Sequence, residues 1–326
     1  MMTAYRSSGT PVPLTPATLQ VALDPDVVWV DLEQPTREEE LQVERLMHIE
    51  VPTRDDLRDI EPSSRLYADE NAIYLTASIL CRADSPAPVL ADVAFVLTPS
   101  CLVTVRYDDP KSFKLFAAAL GKLSGGASSA HLTLARLLET IADRTAEILE
   151  QADLRGDALL VKIFGENGQE PGRRKPKELE RLLNEISAHH RLIAKARGSL
   201  TTLSRIMTFL QAAEVVRQDR EVRDLVKSIS RDIQSLSEHA GFLSGNVTFL
   251  LDASLGLINV EQNAIIKIFS IASVVFLPPT LVASTYGMNF KYMPELDWVF
   301  GYPSSLVLMA ISAIIPIFFF RWRGWL

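Results

Sequence analysis

The chain has 326 residues, of which 48% are hydrophobic and 22% charged, and its formal net charge is −7. Such a length accommodates one sizeable soluble domain and further elements. The negative charge argues against a nucleic-acid-binding protein and is compatible with a surface that attracts cations.

Residues 1–125 are predicted to form a cytoplasmic α/β domain. Segment 1–16 lacks the apolar core of a secretory signal, so we expect about the first 260 residues to stay in the cytoplasm. Short apolar runs rich in β-forming residues predict strands at Val27–Leu32, Asn71–Leu80, Asp92–Leu97 and Cys101–Tyr107. The acidic run Glu38–Glu40 is typical of the first turn of a helix. Cys81 and Cys101 lie in apolar contexts, and we expect two reduced, buried thiols.

Residues 126–220 are predicted to be helical, since apolar residues recur every three or four positions in His131–Phe164 and Lys177–Ala213. His189 and His190 are adjacent and point to different faces of the second helix. We therefore expect a solvated pair and not a metal site.

A third helix should begin near Glu221 and continue to Ser284, 64 residues later. A helix of that length measures roughly 95 Å, whereas the hydrocarbon of a bilayer is only about 30 Å thick. Segment 221–263 is therefore predicted to be a cytoplasmic stalk, which needs neighbours along its length to be stable.

Two membrane spans are predicted at the C-terminal end. Ile268–Phe290 and Trp298–Phe320 contain no charged residue, and each run is 23 residues long, against the roughly 20 that a spanning helix needs. We assign the first span to 264–290, a periplasmic loop to 291–300, the second span to 301–320 and a basic cytoplasmic tail to 321–326. A buried hairpin in a soluble core is the alternative.

The flanking charges predict the orientation of the spans. Arg321 and Arg323 follow the second span, whereas the loop carries Lys291, Glu295 and Asp297. Basic residues stay on the cytoplasmic side, so both termini should face the cytoplasm.

A polar stripe follows the third helix at alternating steps of four and three residues. Its members are Asp252, Gly256, Asn259, Asn263, Ile266, Ser270, Ser273, Leu277, Thr280, Ser284 and Gly287. This 3.5-residue repeat marks the face of a helix that runs along a bundle axis, and lipid-facing positions avoid such polar residues. The stripe predicts a pore with polar rings and two apolar constrictions, Ile266 and Leu277, which are able to gate by dewetting.

Close packing of small residues between membrane helices is the alternative explanation of the stripe. Asp252, Asn259 and Asn263 favour the pore, because packing at or below the bilayer edge does not require a carboxylate or amides. Pro278 and Pro279 lie inside the span, where they predict a fixed bend or a gating hinge.

The first span closes with Tyr286-Gly-Met-Asn289, and Met293-Pro-Glu-Leu296 follows in the loop. Glycine lets the chain leave the helix, and the Asn289 carboxamide offers a neutral oxygen. Magnesium sheds its water reluctantly, so a ring of amides would hold the hydrated ion through its waters.

With these two motifs the chain resembles the CorA family of magnesium channels, whose enterobacterial members are also similar over Asn259–Ser284. The resemblance implies a funnel-shaped homopentamer with an α+β cytoplasmic domain, long stalk helices and two transmembrane helices per chain. The first span would line the pore and the second would form an outer ring in the lipid of a bacterial inner membrane. Gly287, Met288 and Asn289 would form the selectivity filter, and Glu295 would lie in the periplasmic loop.

Within the implied pore, Asp252, Asn263 and Thr280 would be polar positions, and Ile266 and Leu277 would belong to the hydrophobic gate. The family also senses cytoplasmic Mg²⁺ through carboxylates between subunits. Asp224 and Asp232 are the stalk candidates for such a regulatory metal site, although solvated acidic residues are the more usual explanation.

Passive Mg²⁺ influx, with Co²⁺ and Ni²⁺ as further substrates, is therefore the expected function, and Mg²⁺ is expected as transported and regulatory ion with no cofactor. A zinc transporter of the ZntB type is the nearest rival, although Met288 argues against it because that subfamily typically replaces this residue. A membrane-anchored scaffold or signalling protein that does not conduct is the second rival. No catalytic constellation is present, so an enzyme is not expected.

Overall fold

Seven strands form one mixed sheet in the N-terminal part of the protein. The structure is a computed structural model that describes residues 1–14, 24–58, 65–121, 129–165, 176–288, 291, 293–294 and 297–323. The strands are β1 (Met2–Arg6), β2 (Pro11–Leu14), β3 (Val27–Glu33), β4 (Leu66–Ala68), β5 (Ile73–Cys81), β6 (Val89–Leu97) and β7 (Leu102–Arg106). Their order across the sheet is β2-β1-β3-β7-β6-β5-β4. Only β3 and β7 pair in parallel, and every other neighbouring pair is antiparallel.

Trp29 of β3 is the largest fully buried side chain on the sheet. Its ring stacks on Tyr5 with a centroid distance of 4.3 Å and contacts Phe116 at 5.3 Å. Its indole Nε1 donates a hydrogen bond of 2.9 Å to the Thr104 hydroxyl of β7. The polar edge of the indole is thereby satisfied inside the core, as buried tryptophans require.

A buried ion pair joins the two parallel strands. The Thr104 hydroxyl donates to Asp31 Oδ1 at 2.7 Å, and the Arg106 guanidinium donates to Asp31 Oδ2 through Nε at 3.1 Å and through Nη2 at 3.0 Å. Arg106 also reaches Glu33 at 3.0 Å and Asp109 at 3.2 Å. Because Asp31 and Arg106 are each only 4% exposed, both charges depend on this pairing.

The helices are α1 (Arg37–Met47), α2 (Lys111–Leu120), α3 (Ala130–Phe164), α4 (Pro176–Ala212), α5 (Glu214–Gln218), α6 (Arg220–Tyr286) and α7 (Gly301–Trp322), with a short 3₁₀ helix at Asp56–Arg58. A capping box starts α1, in which the Thr36 hydroxyl accepts from the backbone of Glu39 and the Glu39 carboxylate accepts from the backbone of Thr36. Ser129 caps α3 by accepting from the backbone N–H of Leu132. Helix α6 runs through Pro278 and Pro279 without interruption.

The described residues form two compact units, one that ends at Leu251 and one that begins at Asp252. The first contains the sheet, α1 to α5 and the first part of α6. The second contains the rest of α6 and α7. Among the described residues, α6 and α7 are the helices long and apolar enough to cross a membrane.

The expected order of a mixed sheet, long helices and two apolar helices is confirmed, and so is the burial of Cys81 and Cys101 as free thiols. Strands β1, β2 and β4 and helix α2 were not predicted. The expectation of a solvated histidine pair is wrong for His189, which is only 7% exposed between α3 and α4, whereas His190 is exposed. The two adjacent histidines do point to different faces of α4, and the face that carries His189 is the one that packs against α3.

We expect Asp31→Asn to lower the free energy of unfolding of the first unit by about 3–5 kcal/mol, because it removes the buried charge that pairs with Arg106. Thermal unfolding of the purified full-length protein, followed by tryptophan fluorescence, measures the change. Asp26→Asn removes the same charge from an exposed position and should change the stability by less than about 0.5 kcal/mol. Equal effects of the two variants would contradict the assigned role of the pair.

Candidate functional site

The polar stripe of α6 is exposed along its whole length in the single chain. Each of the stripe positions from Asp252 to Gly287 is exposed, including the two apolar ones, Ile266 at 61% and Leu277 at 66%. The 3.5-residue spacing drifts around a straight α-helix by about 20° per heptad. Copies of α6 that keep the stripe on a common axis would therefore wind around each other with a left-handed supercoil.

A second face of α6 is partly covered within the chain. Ile271, Val275 and Val282 are half-buried, and they lie about half a turn away from Ser273, Leu277 and Thr280, which are exposed. The helix thus has an apolar, partly covered side and an open side that carries the hydroxyl and amide groups. The open side also exposes large apolar side chains, Phe269 at 71% and Phe276 at 70%, so its polar groups, and not exposure alone, distinguish the stripe.

The hydroxyl groups of the stripe bond back to the helix that carries them. Ser273 Oγ donates to the carbonyl oxygen of Phe269 at 2.9 Å, and Thr280 Oγ1 donates to that of Phe276 at 2.8 Å. Since each hydroxyl proton is used inside the helix, the oxygen presents acceptor lone pairs outward. These oxygens suit the hydrogen atoms of water around a cation.

The Gly-Met-Asn segment begins at the end of α6. The N–H of Gly287 donates to Ala283 at 3.0 Å, and the N–H of Met288 donates to Thr285 at 3.3 Å, so the backbone of both residues is held by the last helical turn. Met288 is 48% exposed. The predicted filter residue Asn289 and the loop residue Glu295 lie outside the described residues.

One of the two candidate regulatory residues faces other carboxylates. Asp232 of α6 lines a cavity of about 260 Å³ together with Glu139 and Asp143 of α3. Partial burial raises the pKa of Asp143, and repulsion from Glu139, Asp232 and Glu147 raises it further. Arg136 pairs with Glu139 and Arg144 with Glu147, whereas Asp143 and Asp232 form no ion pair within the described segments.

Asp224, the other candidate, lies in a different environment. Its carboxylate is 3.8 Å from Arg220 Nε and 3.7 Å from Arg223 Nε, all on an exposed part of α6. Asp224 thus has arginines beside it that compensate its charge, whereas Asp232 faces other carboxylates. Glu139 and Asp143 were not recognised from the sequence, although Glu139, Asp143 and Glu147 repeat every four residues and so share one face of α3.

The cluster around Asp143 is not a complete metal site. No group of three or more His, Cys, Asp or Glu side chains in the described part of the chain is arranged to hold a metal ion directly. A hydrated Mg²⁺, which binds through one or two carboxylates and keeps several waters, fits such a sparse arrangement better than a dehydrated ion does.

Comparison with known proteins gives one consistent answer. The family model described as "CorA-like Mg2+ transporter protein" matches residues 24–322. The chain is 34% identical over 301 residues to the magnesium transport protein CorA of Haemophilus ducreyi, with 92% of each chain covered. It is also 34% identical over 303 residues to that of Salmonella typhimurium, again with 92% of each covered.

A solved structure agrees with the order of the elements along the whole chain. The complete CorA magnesium transporter of Methanocaldococcus jannaschii superposes with a TM-score of 0.76 over 100% of this chain and 99% of that chain, at 19% identity. At this identity the similarity establishes the fold alone.

Thiol labelling tests whether the stripe faces water. Burial raises the pKa of both Cys81 and Cys101 to about 12. Neither supplies a reactive thiolate, so the reagent should not label the native cysteines. A charged methanethiosulfonate should label Ser284→Cys at least about tenfold faster than Val282→Cys in membranes, because only a thiol in water ionises. Mass spectrometry of the protein measures the labelling, and equal rates would place the stripe in lipid or in a dry contact.

Asp143→Asn should stabilise the first unit in the absence of divalent cations, by about 1–3 °C in Tm near pH 7. Because the folded state raises the pKa of Asp143, its charged form costs stability as the pH rises through that pKa. The gain should therefore disappear in acid, below the usual range of aspartate.

Adding about 10 mM Mg²⁺ should raise the Tm of the parent protein more than that of Asp143→Asn, if the ion is held by this cluster. Asp157→Asn, which removes an exposed charge elsewhere on α3, is the matched control and should respond like the parent. If Asp143→Asn had a lower Tm than the parent without metal, this would contradict the repulsion between Asp143 and its neighbouring carboxylates.

Proposed function

Because the chain belongs to the CorA-like Mg²⁺ transporter family, we propose that it carries Mg²⁺ passively into a bacterial cell through an inner-membrane pore lined by α6. Similarity to magnesium transport proteins over nine-tenths of the chain supports Mg²⁺ as the transported ion. The main support for this path of the ion is the exposed polar stripe of α6, which extends from Asp252 to the Gly-Met-Asn segment.

The route requires several copies of the chain. One α6 supplies one wall of the pore, and its open side would otherwise expose Ser270, Thr280 and Ser284 to hydrocarbon, where polar groups are costly. A ring of identical helices places these groups around shared water. The number five, a homopentamer, comes from the resemblance to the family.

The ion would pass with its water shell at least partly intact. Mg²⁺ dehydrates reluctantly, and the stripe offers hydroxyl and amide oxygens rather than a cage of carboxylates. Asn259, Asn263, Ser270, Ser273, Thr280 and Ser284 would form successive polar rings, and Asp252 would form a negative ring where the pore meets the cytoplasm. Such weak, repeated contacts let an ion leave as readily as it enters.

Ile266 and Leu277 would form the gate. They are the two large apolar side chains of the stripe, and rings of them would expel water when the helices approach each other. Rotation or tilt of α6 that moves these rings away from the axis would rewet the pore. The proline pair next to Leu277 is the place on the helix where such a bend costs least.

Gly287, Met288 and Asn289 would form the selectivity filter at the outer mouth, where a ring of Asn289 carboxamides binds the hydrated ion. Both termini would lie in the cytoplasm and Glu295 in the periplasmic loop, as the basic residues after α7 indicate. Co²⁺ and Ni²⁺ have hydrated forms of similar size and charge and would also pass.

Cytoplasmic Mg²⁺ would regulate the gate through the carboxylates of the first unit. Asp232, opposite Asp143 and Glu139, is the better placed of the two stalk candidates, because the arginines around Asp224 already neutralise it. Bound Mg²⁺ would relieve the repulsion that raises the pKa of Asp143, and loss of the ion would restore it. The stalk helix α6 contains both Asp232 and the pore stripe, so a change at one position reaches the other along one helix.

Two other functions give different results in transport assays. A zinc transporter of the ZntB type would prefer Zn²⁺, and the intact Met288 argues against it. A scaffold or signalling protein would assemble without conducting. The family is one of transporters, which is not an enzyme class.

Uptake by proteoliposomes that contain the purified protein, measured with a fluorescent Mg²⁺ indicator, tests the proposal. We expect an inward membrane potential to drive Mg²⁺ uptake, and Asn289→Ala to reduce it at least about tenfold, because the ring of carboxamides is lost. Gln262→Ala removes an exposed carboxamide of α6 that lies outside the stripe and should conduct like the parent.

Competition with Co²⁺, Ni²⁺ and Zn²⁺ in the same vesicles measures the selectivity. Co²⁺ and Ni²⁺ should reduce Mg²⁺ uptake. Preferred uptake of Zn²⁺ would support the zinc transporter instead, and no flux from either Asn289→Ala or the parent would support the scaffold.

A further inference from the structure

The first unit contains a cavity that the transport function does not use. Its volume is about 370 Å³, and it lies between α3, α4 and the turn that joins β5 to β6. Small-molecule sites in proteins span about 300–1,000 Å³ and are mostly apolar with a few convergent polar groups. This cavity has that composition: its apolar walls come from Pro86, Pro88, Ala158, Leu159 and Leu192.

His189 lines the cavity and has an unsatisfied ring nitrogen. The residue is 7% exposed, and its Nδ1 is buried without a hydrogen-bond partner in the described part of the chain. On the other side of the ring, a Cβ built on Gly156 would lie 3.4 Å from Nε2, so α3 packs closely against the imidazole. Buried polar atoms are nearly always paired, so an unpaired one in a side chain that lines a cavity indicates a missing partner.

The charges around the cavity favour an anion. Of the two carboxylates on its wall, Asp84 is 3.4 Å from Arg144 and 3.7 Å from Lys111, and Glu185 is 2.5 Å from Lys162. Arg155 also lines the cavity, and no ion pair to it is formed by the described residues. Its guanidinium is therefore the uncompensated charge of the wall.

Arg155 also acts on His189. Burial lowers the pKa of His189, and the positive charge of Arg155 lowers it further, against an opposing effect of Asp153. The imidazole is thus neutral at physiological pH and keeps one donor and one acceptor nitrogen. A neutral donor next to a free guanidinium suits the two oxygens of a carboxylate.

We propose that this cavity binds a small organic carboxylate with an apolar body, whose carboxylate is held by Arg155 and His189. The apolar body lies against Pro86, Leu159 and Leu192. The site is independent of the pore, since none of its residues belongs to the polar stripe or to the cluster around Asp143. A ligand here contacts the sheet turn, α3 and α4 together and so stabilises their packing.

Fluorine NMR of the full-length protein in lipid nanodiscs tests the proposal, with 4-(4-fluorophenyl)butyrate as the probe and empty nanodiscs as the background. We expect saturable broadening of the probe signal by the protein. The corresponding primary amide has the same shape without the charge, and it should bind at least about tenfold more weakly because the charge-assisted contacts are lost.

Two variants locate the binding. Arg155→Gln should weaken it at least about tenfold, and Ala158→Phe should abolish it by filling the cavity. Arg191→Gln removes an exposed arginine of α4 outside the cavity and should bind like the parent. Size-exclusion profiles that match the parent establish that each variant is folded, and His189→Gln is a second polar variant should Ala158→Phe fail this check.

Three results would overturn the proposal: absence of saturable binding in the parent protein, equal binding of acid and amide, or unchanged binding in Arg155→Gln. In the first case water alone satisfies His189. In the other two, the probe binds elsewhere on the protein.

Discussion

A polar side chain on a helix that crosses hydrocarbon needs water or another polar group within reach, and the architecture of the second unit follows from that constraint. Helix α6 satisfies its own backbone, but its open side carries hydroxyls from Ser270 to Ser284 and, before the span, the amides of Asn259 and Asn263. Within one chain, the described residues leave this side uncovered. In the proposed pore, repetition of the same helix around an axis would surround this side with shared water and with copies of itself.

The first unit packs long helices on its sheet, with α4 against β5 and α3 against α4. Its parallel strands β3 and β7 are joined by Asp31, Thr104 and Arg106, a buried polar chain that ends at the indole of Trp29. Such networks are costly when one member is missing, and they fix the register of the strands when complete. Asp143 and Asp232 line one cavity in this unit, and under the proposed regulation the repulsion between them would depend on the cation concentration.

The sequence predicted the elements whose pattern is long and repetitive. Helices α3, α4 and α6 begin within one residue of their predicted starts, because their apolar periodicity extends over many turns. Strands β1 and β2 were missed, since Met2–Arg6 has mixed polarity and Pro11–Leu14 contains two prolines. Helix α2 was missed because Lys111–Leu120 is a short apolar segment, which periodicity does not separate from a strand.

The residues of the candidate site also divide into those that the sequence reveals and those that it does not. The stripe is visible in the sequence because it lies on a single helix. Asp143 and the burial of His189 are not visible, because each depends on which face of α3 or α4 meets another element. A cavity lined by residues about ninety positions apart, such as Asp143 and Asp232, is predictable only when the packing of the helices is known.

The inward hydrogen bonds of Ser273 and Thr280 have a consequence for the proposed pore in its closed state. A hydroxyl whose proton already rests on its own backbone loses little when the neighbouring water is removed, so these rings tolerate drying. Asn259 and Asn263 have amides with two donor hydrogens and an acceptor oxygen, and drying them costs more. In the proposed pore, the interior would therefore empty around Ile266 and Leu277 while the end near Asn259 and Asn263 stays filled, which would concentrate the barrier to ions in a short stretch.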